Sequence, residues 1–311
     1  MKVDSNIPIN KVSWLSTIYK DSGLIRNLYT PETIEELIEI SNQLLSESKT
    51  FDIIGHTSNI YFSPDYQVEN MISTRRLKKI EVLDSIISCE CGVPVSSLAK
   101  QMCEYGIKGF EGLIDLPGTV AAAVYGNAGC YNSYISSILI DLDYMTTEGV
   151  IKTINPEDCV FTRRSSAFKA GKLKGVILRL RFRKEQGDLQ SIKDCAKKYH
   201  NLRKLTQPGP QKNIGSIHGY SGLPTVSFRI INLISNVMVL PIILIKGKLK
   251  KNYYKTKIIL TLTGRRDLIP YLFNLNRFIF IDDKSHDKFR EYLDYYKYYF
   301  PDSKLEIEIR R

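Results

Sequence analysis

The sequence predicts an α+β chain, and three observations predict it. Residues 31–46 place apolar side chains at helical spacing behind Thr30, an N-cap candidate, with acidic residues in the first turn. Ile80–Cys91 alternates and is rich in β-branched residues, and Gly92 then turns the chain into an amphipathic helix over Val95–Tyr105. Ile138–Thr146 and Val150–Ile154 flank Glu148-Gly149 as a hairpin, and Val176–Arg183 alternates apolar with basic residues as a further strand. With 311 residues the chain has room for two or three subdomains with proper cores.

Composition narrows the class. A hydrophobic content of 43% and a charged content of 25% are ordinary for a globular protein, whereas the net charge of +11 is not. Much of the surplus comes from Arg179–Lys184, Lys246–Lys257 and Arg310-Arg311. The surplus could favour nucleic acid or acidic lipid and equally suits an enzyme with polyanionic nucleotide ligands; no nucleic-acid motif accompanies it, so nucleic acid is not expected. Residues 1–19 hold no apolar signal core, and cytoplasm is the expected compartment. Phe228–Ile245 is the most apolar window, but Arg229, Asn232, Asn236 and Pro241 interrupt it. A buried strand or helix is expected there, with no integral membrane segment; the lysine cluster that follows leaves a peripheral membrane contact open. The six cysteines lack paired metal-site spacing, so reduced, buried thiols and no metal are expected.

Two stretches carry the chemistry. In Gly112–Tyr131, Pro117-Gly118, three alanines and Gly126-Asn127-Ala128-Gly129 let a backbone pass close to something flat and polar; a short helix packed through an alanine face is the plainer alternative. In Phe51–Asn59, a short apolar run ends in a loop whose amides, with Ser58 and Asn59, suit an anion.

Together, GxxSN and DLPGTVAAAVYGNAG resemble the FAD-binding domain of UDP-N-acetylenolpyruvoylglucosamine reductases, where GGGSN and IPGxxGGAxxxNAG are usual. His56 and Thr57 here replace two glycines, and Ala121 and Ala122 replace a glycine pair. The resemblance implies a two-part FAD-binding domain of the vanillyl-alcohol-oxidase type at 1–187, dividing near residue 78, and a smaller α/β substrate-binding domain at 188–311. It implies FAD contacts at Gly55, His56, Thr57, Ser58, Asn59, Pro117, Gly118, Thr119, Ala122, Asn127 and Gly129, with NADPH as co-substrate and a nucleotide sugar as substrate.

Catalytic candidates follow from the same resemblance. Phe161, Arg164, Ser166 and Phe168 match FxYRxSxF, with Arg163 where tyrosine is usual, and Arg164 takes the role of holding the substrate carboxylate. Gln207-Pro208 and Gly215-Ser216 match RxxxQPxxxxxxGSxF, in which the serine protonates the carbon next to the carboxylate. Phe278–Asp282, a helix over His286–Phe300 and the terminal LEIEI resemble the family's last domain and put Glu308 at its proton-transfer glutamate. The family's Phe-Lys-Asn-Pro after that serine is here His218-Gly219-Tyr220-Ser221, which leaves substrate identity open. A different flavin oxidoreductase, with His56 as a site of covalent attachment, and a non-catalytic binding module contacting through 228–257 are the alternatives. The sequence does not indicate an oligomeric state.

Overall fold

The structure is a computed structural model that describes residues 3–12, 23–209, 212–280 and 285–311. It divides into two compact units, the first comprising Met1–Ile7, Leu24–Thr57 and Gln67–Asn201. Helix α1 (Ile34–Ser46) begins one turn later than the sequence suggests. Its N-cap is Thr33, not Thr30: Glu36 N donates to Thr33 Oγ1 (3.1 Å) while Glu36 Oε2 accepts from Glu32 N (2.8 Å). Two orphan donors are satisfied together, which a cap at Thr30 would not achieve. Ile34, Leu37, Ile40 and Leu44 give the helix one buried face. The chain enters α1 from strand Leu24–Tyr29 and leaves it into Asp52–Ile54, and both strands pair in parallel with Gln67–Ser73. The sheet order is Val3–Pro8, Leu24–Tyr29, Gln67–Ser73, Asp52–Ile54.

An antiparallel sheet forms the other part of this unit, in the order Ile151–Ile154, Leu139–Thr146, Gly175–Arg183, Ile86–Glu90, Ile80–Val82. The expected hairpin is present, with Leu142 opposite Ile154 and Gly149 at φ +78° in the turn. The Ile80–Cys91 run differs from expectation. It is a hairpin, not one strand, because Asp84-Ser85 supplies turn chemistry and Leu83 N donates to Ile86 O (2.9 Å). Helices α2 (Val95–Glu104) and α3 (Val120–Tyr125) add Val95, Leu98, Met102, Val120 and Val124 to the core beneath the sheet. All six cysteines are free; burial pushes the Cys89 and Cys91 thiols up to about 12, so they act as apolar packing groups. A Cβ at Gly92 would lie 1.8 Å from the Thr74 carbonyl oxygen. Gly92→Ala is therefore expected to lower unfolding free energy by about 3 kcal/mol or more, read by chemical denaturation.

Helix α4 (Leu189–Thr206) buries Ile192 and Ala196 in this same core, and the first unit runs on to Asn201, past the 187/188 boundary expected from the sequence. The second unit comprises Pro8–Gly23, Ser58–Tyr66 and Leu202–Arg311. It contains α5 (Val226–Met238), α6 (Leu240–Lys246), α7 (Lys251–Leu262), α8 (Ser285–Tyr299) and a sheet ordered Asn213–Ser216, Arg277–Ile279, Leu272–Asn274. Aromatic side chains build its core: Phe289 and Tyr292 of α8 pack on Phe278, and Tyr61 packs on Phe289 at 4.2 Å between ring centroids. Residues 281–282, the end of the expected FIFID strand, lie outside the described residues.

The apolar window 228–245 is helical, as one of its two expected forms, but it is not buried. Only Phe228, Ser235 and Val239 are covered, while Leu233, Val237 and Leu244 face outward. The segment is apolar on more than one side and buries only the side with Phe228 and Ser235, which an apolar count alone does not reveal.

Candidate active site

In the first unit, strand Asp52–Ile54 ends at Gly55, and a Cβ there would meet Thr119 Oγ1 at 2.6 Å. Glycine is thus required by close approach: the loop lies directly on the residue that caps α3. Thr119 is buried and its Oγ1 accepts from Ala122 N (3.4 Å). The two motifs, 64 residues apart in sequence, are one structure. Pro117 and Ala122 are exposed beside it, Gly118 takes φ +109°, and Ala121 and Ala122 lie within the helix, where a methyl group is tolerated. The alanine run is thus the short packed helix of the plainer reading, burying Val120, Ala123 and Val124.

Thr57 stands where the family has glycine and adopts φ +55°. A β-branched residue pays a steric penalty there. Arg75 offsets it: its Nη2 donates to Thr57 Oγ1 (3.4 Å), and its Nε donates to Gly55 O (2.9 Å). Sequence inspection missed Arg75, because one arginine of an Arg-Arg pair in a basic chain reads as surface; its position just after strand Gln67–Ser73 was the available signal. Burial, then Arg75 and Lys78, lowers the pKa of His56, which keeps its ring neutral in a positive setting that suits an anion. Thr57→Gly is expected to change unfolding free energy by less than about 1 kcal/mol, since relief of the positive φ and loss of the Arg75 contact oppose each other, as read by thermal denaturation.

The Arg164 turn is tied to the same region. Thr162 and Ser165 exchange backbone hydrogen bonds (3.0 and 3.2 Å), which places Arg164 at φ +60°. Asn127 Nδ2 donates to Thr162 O (2.9 Å), and Ser166 Oγ donates to Tyr125 O (2.7 Å) at the end of α3. Phe168 packs edge-on against Tyr144. The motif's serine and phenylalanine thus anchor the turn that carries Arg164, while Arg163 is exposed. Asn127 Oδ1 is buried with no hydrogen-bond partner, and Gly129 is confined by Ser133 O, 2.5 Å from a Cβ position. A cleft of about 360 Å³ near Lys108, Glu111 and Arg183 holds none of these residues.

Ser58, Asn59, Ser216 and Glu308 belong to the second unit. Gly215 at φ +70° precedes the half-buried Ser216, and a Cβ there would meet nothing within 4 Å, so conformation and not crowding calls for glycine. Ser216 lies opposite Arg277, whose Nη1 donates to Thr206 O (2.9 Å). Ile217 O accepts from Glu306 N (2.7 Å) and Ile307 N (3.3 Å), which brings the terminal segment beside Ser216. Glu308 N donates to Asn59 O (3.1 Å) and Asn59 Nδ2 donates to Glu306 O (3.2 Å), so Asn59 clamps the strand that carries Glu308. That strand, Glu308–Arg310, pairs in parallel with Ile60–Phe62, and the Glu308 carboxylate meets Arg310 Nη2 at 3.0 Å. Ser216, Glu308 and Asn59 are therefore neighbours within one unit; Arg164 belongs to the other.

Residues 26–155 match the FAD binding domain family. A UDP-N-acetylenolpyruvoylglucosamine reductase of Caldicellulosiruptor saccharolyticus is 30% identical over 203 residues, covering 65% of each chain. One of Pseudothermotoga lettingae is 30% identical over 201 residues, covering 65% of this chain and 68% of the relative. The chain belongs to the UDP-N-acetylenolpyruvoylglucosamine reductase family. The chain spans 65% and 64% of the length of the two Caldicellulosiruptor relatives. The Thermus caldophilus UDP-N-acetylenolpyruvylglucosamine reductase structure covers 100% of both chains at TM-score 0.69 and 19% identity, and so shares the fold. The α+β class with an FAD-binding domain is thereby established.

The family's Phe-Lys-Asn-Pro begins here with His218, which keeps the aromatic role. Its ring stacks on Tyr296 (3.7 Å between centroids, 10° between planes), and neither ring nitrogen has a hydrogen-bond partner. Burial pushes the imidazole down to about 4 from its ordinary 6.5. A depressed folded pKa means that stability is complete above pH 6.5 and declines as pH falls toward 4, since only the unfolded chain binds the proton readily. His218→Phe should raise unfolding free energy by about 1–3 kcal/mol and flatten this acid slope, as measured by denaturation across pH.

Proposed function

We propose that this chain is an FAD-dependent reductase that converts the enolpyruvyl ether of UDP-N-acetylglucosamine to UDP-N-acetylmuramate with NADPH, a step in peptidoglycan precursor synthesis. The observations that carry the reading are the Gly55–Thr119 contact at the start of α3 and, past its other end, Asn127, whose buried Oδ1 lacks a partner; both lie within the stretch matched by the FAD binding domain family. The residues present fit FAD. Gly55–Asn59, Pro117–Thr119, Ala122, Asn127 and Gly129 would hold it, with Arg75 fixing the loop. Bound FAD supplies hydride transfer from NADPH to the terminal enolpyruvyl carbon.

The protein's residues supply charge and a proton. Arg164 is assigned the substrate carboxylate, since a planar guanidinium can hold both oxygens as negative charge builds on them. Ser216 is assigned proton donation to the adjacent carbon; an alkoxide is costly in water, so the serine needs a group behind it to ease the loss. Glu308 is assigned that support. A second reading, an FAD-dependent oxidoreductase acting on another sugar or alcohol, is favoured by one observation: Gly219 and Tyr220 stand where the family's lysine and asparagine contact the nucleotide.

FAD titration followed by flavin fluorescence tests the cofactor assignment. Saturable quenching is expected, with affinity about tenfold weaker in Asn127→Ala through the lost hydrogen bond. Protein that takes up no FAD would overturn it.

A further inference from the structure

Eleven of the 24 exposed large apolar side chains among the described residues lie between Leu223 and Leu249. On α5 they recur at Val226, Ile230, Leu233 and Val237, spacings of 4, 3 and 4 residues that form one helical stripe. The opposite side is the covered one and includes Ser235, fully buried with its Oγ donating to Asn232 O (2.8 Å). The covered side also holds Phe228, which packs on Tyr299 and Phe300, so the helix is apolar on both sides and only one of them is buried. The stripe continues on α6, where Leu244 and Ile245 are 87% and 79% exposed.

Charge defines the surroundings. Lys246, Lys248, Lys250 and Lys251 follow directly and are all exposed. The chain has no aspartate or glutamate between Asp194 and Asp267. An apolar stripe beside lysines with no acid between them complements an anionic bilayer surface.

We propose that α5 and α6 dock this protein on an anionic lipid surface, with the apolar stripe in the headgroup and acyl boundary and the lysines on lipid phosphates. The segment lies on the bilayer and does not span it. Its helices have 13 and 7 residues, bend by 43° at Val239, and keep Phe228 and Val239 packed on protein. Docking of a second copy through the same stripe is less well matched, since a twofold pairing would bring lysine-rich edges together with no acid from this stretch between them. The proposal does not rest on the flavin reading.

Co-sedimentation of the full chain with phosphatidylcholine vesicles, with and without about 30 mol% phosphatidylglycerol, tests it. Binding to the anionic vesicles is expected to be at least about tenfold tighter than to neutral ones, and to fall with added salt. Leu244→Asp with Ile245→Asp, and separately glutamine at Lys246, Lys248, Lys250 and Lys251, should each weaken it about tenfold or more with an unchanged thermal melt. These side chains are exposed, so folding does not depend on them, and the lysine variant leaves the apolar stripe intact. No sedimentation with either vesicle would overturn the proposal, as would equal binding to both that neither variant changes. A concentration-dependent dimer that Leu233→Asp dissociates, without vesicle binding, would assign the stripe to a second copy instead.

Discussion

Ser216→Ala is expected to leave reduction of bound FAD by NADPH within about twofold of the parent rate, while reoxidation by the enolpyruvyl nucleotide slows by about 10² to 10⁴. Hydride transfer from the nicotinamide needs no proton from this serine, whereas the second half-reaction needs a proton at the carbon next to the carboxylate. The substitution removes one oxygen from a half-buried position after Gly215, leaving the strand pairing to Arg277 and the anchoring of Ile217 O by the terminal segment in place. Stopped-flow absorbance resolves the two halves. An equal loss in both would make Ser216 a structural residue.

Arg164→Ala should also spare the first half-reaction and slow the second by about 10² to 10³, the scale for removing one group that stabilises developing negative charge. Arg164→Lys should recover only part of that, because an ammonium keeps the charge without the planar fork. The turn itself is held from outside the side chain, by the Thr162–Ser165 exchange, by Asn127 on Thr162 O and by Ser166 on Tyr125 O. Truncation at Arg164 therefore tests chemistry, not the fold. A parallel fall in flavin affinity would place Arg164 among the cofactor contacts and withdraw its assigned role.

Local pattern made much of the first unit legible. The hairpin at Glu148-Gly149, the alternation of 176–183 and the periodicity of α1 are short-range signals, and the elements formed there, α1 with its start one turn later. Thr33 capped α1 because Thr33-x-x-Glu36 satisfies two donors, a pattern present in the sequence but overshadowed by Thr30-Pro31. What single-sequence reading did not supply was contact across distance. Gly55 on Thr119, Arg75 on Gly55, and the parallel pairing of Glu308 with Ile60 each join segments that carry no mutual signal in one chain. The α5–α6 segment failed for another reason: hydrophobic content was read as burial, and only packing decides which side of a helix faces inward.

The central claim is a flavin that mediates between NADPH and an enolpyruvyl nucleotide sugar. Its most direct test is the visible spectrum of FAD-loaded protein under anaerobic conditions, first with NADPH and then with that substrate. The account predicts flavin bands that bleach with NADPH and return on addition of the enolpyruvyl nucleotide, with the lactyl ether as product. Bands that bleach and stay bleached would contradict the substrate assignment, and a protein that remains colourless after addition of FAD would contradict the enzyme reading altogether.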